Sequence, residues 1–168
     1  MNAAIWLGAA VFFCVAAEPA VFSPEMEQLL GPANFPFFSG ASAQILRSHY
    51  FVFLGVSAVI AFLHLLAEWM YMGRPTRKPS MILLGGLFGL VLVGGFWIEP
   101  HLKHLHGRRY APNLPVVERA AAARAYHFWH AGILALNLAL IGGLVVYVWR
   151  VANPSDAPRF ISSVKFRG

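Results

Sequence analysis

The chain has 168 residues, 58% of them hydrophobic and only 12% charged, with a formal net charge of +6 and a mean hydropathy of +0.61. Soluble domains carry about 25% charged residues, so the composition excludes an ordinary soluble domain and points to a membrane. The basic residues lie between apolar runs, where Lys and Arg set orientation and meet anionic lipid, so the positive charge is no argument for nucleic acid.

Four apolar runs stand out, at roughly 3–22, 49–72, 81–99 and 128–149. Each is near the ~20 residues that span a bilayer. Backbone groups in lipid must be satisfied within the segment, so each run is a helix. The expected fold is all-α: an integral membrane four-helix bundle, antiparallel and up-down, over residues 1–152. A polar, basic tail follows at 153–168. The first run, "MNAAIWLGAAVFF", has no basic leader, so it reads as a retained helix and not as a signal peptide. It holds the single cysteine, Cys14, read as a small buried apolar residue. With one cysteine and no CxxC or CxxCH, the usual zinc, thioredoxin-type and c-type haem signals are missing.

The joint between runs one and two, "SPEMEQLLGPANFPFFSG" (23–40), begins with a good helix start, Ser23 as cap before Pro24. Its aromatic, proline-broken remainder suits an interfacial turn. The short joint "GRPTRKPS" (73–80) makes runs two and three antiparallel neighbours. The joint between three and four is long and basic. It becomes alanine-rich after Pro115, so helix four is expected to start well outside the membrane. Arg74, Arg77 and Lys78 share a side with the basic tail and with few acids. This places both termini in the cytoplasm, in the cytoplasmic membrane if the source is bacterial. Trp69, Tyr71, Tyr147 and Trp149 read as interface anchors at that side. Gly85 and Gly89 form a GxxxG, and Gly94, Gly95, Gly132, Gly142 and Gly143 add small residues, all expected on packing faces within the chain.

The polar groups then fall into place by connectivity. Helix one ends at Glu18-Pro19, helix two starts near His49, helix three ends at Glu99-Pro100, and helix four enters near His127 and His130. All four ends lie on one side of the membrane. "AAEP" and "WIEP" resemble each other as a faint internal echo. His130 and Asn137 are seven residues apart and share a stripe reaching ~10 Å inward. Ionisable groups at such depth face a bundle interior or water. Glu18, Glu99, His130 and Asn137 are the expected polar network. The same groups admit other readings. One is a b-type haem between His49 and His130. Another is a transition-metal site drawn from Glu18, His49, Glu99, His127 and His130. A third is a path for protons or ions.

"HLKHLHGRR" (101–109) reads as a solvated, anion-attracting or lipid-facing end of helix three, in preference to a metal site. His64 and Glu68, four apart, read as a local pair. Ser57 has no predicted base beside it, and no nucleophile–base pair, phosphate loop or paired catalytic carboxylates are apparent, so catalysis is not favoured.

"WIEP" (97–100) and "FWHAGILALNL" (128–138) together resemble the transmembrane-protein-205-like family, small four-helix membrane proteins whose bacterial members form a domain of unknown function. In that family the third helix ends in a similar W-hydrophobic-Glu-Pro. The fourth carries a His followed seven residues later by Asn-Leu, as His130, Asn137 and Leu138 do here. The tryptophan- and glycine-containing first helix and the "FPFF" phrase are also similar. The resemblance spans about 1–150 and implies a fold and a membrane location, but no reaction. His101, His104, His106, His127 and the tail fall outside its pattern. The expectation is a small non-enzymatic integral membrane protein. It would be an accessory or structural subunit whose partners are the bilayer and other membrane subunits or copies of itself. The alternatives are a haem- or metal-binding membrane protein and an ion or small-molecule transporter.

Overall fold

The computed structural model describes residues 1–72 and 78–153. Five helices account for nearly all of them: α1 (Asn2–Val21), α2 (Pro24–Leu30), α3 (Phe35–Met72), α4 (Pro79–Arg109) and α5 (Val116–Ala152). No strand occurs among the described residues. All but α2 are long and apolar enough to cross a membrane, which makes this an all-α membrane bundle. The joint at 73–77 and the tail from 154, on which the orientation argument leans, lie outside the described residues.

Contacts make the long helices a ring, α1–α3–α4–α5 and back to α1. Phe13 stacks on Tyr50 while Asn2 donates to the Ser57 carbonyl, so α1 and α3 run antiparallel. Gly94 meets Phe51 while Gly55 meets Val91, and His106 meets Tyr126 while Leu87 meets Gly143, so α3, α4 and α5 alternate in turn. Buried positions on α5 fall at Tyr126, Ile133, Asn137, Leu140, Leu144 and Tyr147. That three-four spacing is the seam of left-handed helix packing.

Two helices run past the expected boundaries. α3 has 38 residues, about 57 Å at 1.5 Å per residue, against ~30 Å of hydrocarbon. It starts at Phe35 and not near His49, so "FPFF" is its first turn and not a loop. Pro36 is tolerated there because first-turn N–H groups have no helical partner in any case. α4 continues through Glu99-Pro100 to Arg109. α5 begins at Val116, as the alanine-rich stretch suggests.

The Glu-Pro pairs do not end their helices because a wide turn precedes each. Residues Phe13–Ala17 and Val93–Ile98 are π-helical. A proline clashes with the carbonyl four residues earlier and cannot bond to it. Those carbonyls belong to Val15 and Phe96, each inside its π turn. The widened turn absorbs the proline and lets the helix resume. The echo between "AAEP" and "WIEP" is thus a shared local structure.

Exposed rings mark two levels. Phe22, Phe96, Trp97 and Phe128 are exposed near one end of the span, and Trp69, Tyr71 and Trp149 near the other. Along α5, Trp129 and Trp149 are separated by about 30 Å, the hydrocarbon thickness, as aromatic belts at both interfaces require. Beyond the Trp97–Trp129 level lie α2 and the projecting ends of α3, α4 and α5.

α2 is fixed at both ends. Ser23 Oγ accepts from the Met26 N–H at 3.3 Å with Pro24 in the first turn. Gly31 closes it at φ 74°, a conformation that disfavours a side chain. Glu25 is held below the usual carboxylate range by a backbone N–H and by the Ser23 hydroxyl. Ser23→Ala should cost about 1 kcal/mol of this local helix, visible as faster amide exchange over Pro24–Leu30 with α1 and α3 unaffected.

Candidate functional site: a buried arginine between two glutamates

The centre of the polar cluster is Arg47, on α3, whose side chain is fully buried. Its Nη1 donates to Glu99 Oε2 on α4 at 3.2 Å, and its Nη2 donates to Glu18 Oε1 on α1. Both glutamates are buried as well. Each follows a π turn, and the extra residue in that turn sets the phase that carries its carboxylate to the same guanidinium. From α5, His130 Nε2 lies 3.5 Å from Glu18 Oε1. All four long helices therefore contribute.

The charge arithmetic explains the grouping. A lone charge buried in an apolar interior is costly and seeks a partner. One guanidinium against two ionised carboxylates leaves a single negative charge, and a protonated His130 would balance it. The guanidinium fork suits two carboxylates better than an ammonium would. The cluster also keeps hydrogen-bonding capacity to spare. Glu18 Oε2, Glu99 Oε1, Arg47 Nε and Tyr126 OH are buried without a hydrogen-bond partner. His130 stands at the edge of the cluster: its side chain is about a quarter exposed, but its Nε2 is buried without a hydrogen-bond partner. The ring is stacked on Tyr126 with centroids 5.9 Å apart and flanked edge-on by Phe22. Chemically, the arrangement can pin four helices and can exchange a proton at the Glu18–His130 contact.

The expected network is thus assembled in part, by a residue that was missing from it. Glu18, Glu99 and His130 converge, with Arg47 as the link. Asn137 is fully buried but stands deeper. Its Oδ1 accepts from Tyr50 OH at a long 3.5 Å, and its Nδ2 has no partner. Tyr50 in turn stacks on Phe13 at 4.0 Å.

His49 does not join. It is exposed, and its Nδ1–H donates to its own helix at Ile45 O, 2.9 Å away. Arg47 two residues earlier takes the inward position, so His49 points elsewhere. The His49–His130 pair expected for haem is not set up by this placement. His127 is likewise exposed and touches the Tyr126 ring. Among the described residues no three of His, Cys, Asp and Glu converge to hold a metal ion. The proposed metal set of Glu18, His49, Glu99, His127 and His130 is divided for a physical reason. Both carboxylates already face a cation, Arg47, where a metal ion would have to sit.

The histidine-rich end of α4 also differs from expectation. His104 is exposed, but His106 is buried. Its ring lies among Phe37, Tyr110 and Tyr126 at 5.4, 5.0 and 5.8 Å, and neither nitrogen has a hydrogen-bond partner. It rests on Gly40, where a Cβ would overlap the imidazole. His101 sits edge-on against Trp129 at 4.8 Å. His64 and Glu68 are exposed, and Cys14 is half-buried.

The glycines split in the same way. Gly94 and Gly95 meet Phe51, and Gly143 meets Leu87, so these serve packing. Gly85, Gly89, Gly132 and Gly142 have open space where a Cβ would stand. The GxxxG face is not used inside the chain.

Residues 1–111 match the model of a domain of unknown function, DUF4149. The chain belongs to this family. The matched region contains Glu18, Arg47 and Glu99, so three helices of this DUF4149 protein carry the ion cluster within the family's span. His130 and Asn137 on α5 lie beyond it. No curated protein and no solved structure matches the chain.

Proposed function

We propose that this DUF4149 protein is a small, non-enzymatic membrane subunit that works within a larger membrane assembly or as an oligomer. In this reading the Arg47 cluster is the clamp that fixes the bundle. The observation that carries it is the unused glycine face of α4. Gly85 and Gly86 are exposed and Gly89 half-exposed, with nothing within 4 Å of a Cβ at any of them. Lipid supplies little hydrophobic drive between helices, so small-residue faces are where helices approach closely. The resemblance of "WIEP" and "FWHAGILALNL" to the transmembrane-protein-205-like family supports the membrane location, and Arg74, Arg77, Lys78 and the basic tail support both termini being cytoplasmic.

The test is the oligomeric state of the native, gently solubilised protein. A species larger than one chain that is lost in Gly85→Leu and Gly89→Leu, with helicity unchanged, supports the reading. A monodisperse monomer from native membranes overturns it.

A second reading rests on His130. Its Nε2 lies 3.5 Å from Glu18 Oε1, which leads to Arg47, a contact across which a proton could pass. Proton flux in proteoliposomes that stops in Glu18→Gln would favour a transport role over a structural one.

A further inference from the structure

The outer end of α4 and the turn after it border a shallow, open cleft of about 460 Å³. Lys103, His104 and Arg108 line it from the helix, and Asn113 from the turn. Gly107 keeps its floor open, with nothing within 4 Å of a Cβ there. Its polar groups are donors: an ammonium, a guanidinium, an imidazole N–H and a side-chain amide. The acid nearest in contact is Glu118, paired with Arg108 at 3.1 Å and itself exposed. Lys103 and His104 are exposed. Arg109 is turned over the Tyr110 ring, 5.1 Å away.

The aromatic belt fixes the height of this cleft. Lys103 and His104 stand about 10 Å beyond Trp97 along α4. That is just outside the hydrocarbon, in the zone of lipid headgroups, and a lysine stem reaches back toward it. A cationic, donor-rich cleft at that height faces phosphodiesters.

We propose that this cleft binds the headgroup phosphate of an anionic phospholipid. Lys103 supplies the charge. Arg108 shares its guanidinium between the phosphate and Glu118. His104 and Asn113 donate hydrogen bonds that orient the headgroup. The acyl chains then lie along the exposed apolar surface marked by Phe96 and Trp97.

The experiment measures association of spin-labelled phosphatidylglycerol and phosphatidylcholine with the full chain in phosphatidylcholine vesicles. Phosphatidylglycerol is expected to be preferred severalfold. Lys103→Gln should reduce the preference by about fivefold, the effect of one basic residue near an anionic surface. Asn113→Asp should reduce it too, by placing a carboxylate against the phosphate. Arg124→Gln, exposed on the same end but outside the cleft, should leave it unchanged. Equal association of the two lipids overturns the proposal, as does an equal loss in Arg124→Gln, which would mean diffuse surface charge. Displacement of the labelled lipid by millimolar inorganic phosphate also overturns it, in favour of a site for a free anion.

Discussion

Replacing Arg47 with leucine is expected to cost about 3–5 kcal/mol of bundle stability, because it strands two buried carboxylates. Glu18 and Glu99 come from different helices and share this one cation. Without it they must ionise unpaired, take up protons, or drag their helices toward water. The loss should appear as a large drop in the melting temperature of the detergent-solubilised protein, followed by the near-ultraviolet signal of the buried Trp6. The decisive comparison is Arg47→Leu combined with Glu18→Gln and Glu99→Gln. Removing a whole buried ionic group is often neutral or stabilising, whereas removing one partner is not. The triple variant should therefore recover most of the lost stability. An Arg47→Leu protein as stable as the parent would mean that the cluster does not clamp the bundle.

The second large effect is at Gly94. A methyl group there would overlap the Cε1 and Cζ atoms of the Phe51 ring, which packs against the backbone of α4. Gly94→Ala should cost about 1–3 kcal/mol, the usual penalty for overfilling a packed interior. The strain lies in one ring, so Phe51→Leu in the same chain should relieve it. Gly142→Ala, on α5, is the control. It has open space for the methyl group and should melt like the parent. Equal losses in Gly142→Ala and Gly94→Ala would show that glycine acts through the helix backbone and not through this contact.

Hydropathy finds where lipid touches a helix, and that explains what was legible. The four spans, their alternation and the gathering of Glu18, Glu99 and His130 at one end all follow from run lengths and connectivity. Helix ends did not follow, because residues 35–48 and 99–109 leave the hydrocarbon while remaining helical. Arg47 is hidden by the same effect, because a second helix starting near His49 leaves Arg47 in the joint before it. Inside Phe35–Met72 it becomes a cation among Ile45, Leu46 and Tyr50, for which a partner must be sought. The signal was the lone arginine two residues before an assigned span. His106 was hidden differently. Its sequence neighbours are Lys103, His104, Arg108 and Arg109, all marks of a solvated end, while the rings that bury it come from Phe37 and Tyr126, far away in the chain. The GxxxG was visible as a packing motif, but which partner it meets is decided by the rotation of α4, and spacing does not fix that.

The two wide turns before Glu18 and Glu99 make helix winding itself a determinant of the chemistry. Each behaves as a single surplus residue threaded into an otherwise regular coil. Winding that residue as ordinary α-helix, with none removed, would rotate the two halves of the helix against each other by about 100°. Either the carboxylate or the apolar seam below it would then face lipid. A further residue inserted into Phe13–Ala17 or Val93–Ile98, where the wide turn already absorbs one, would thus unseat the ion cluster without touching any of its members. In these two stretches the count of residues is under tighter constraint than their identity.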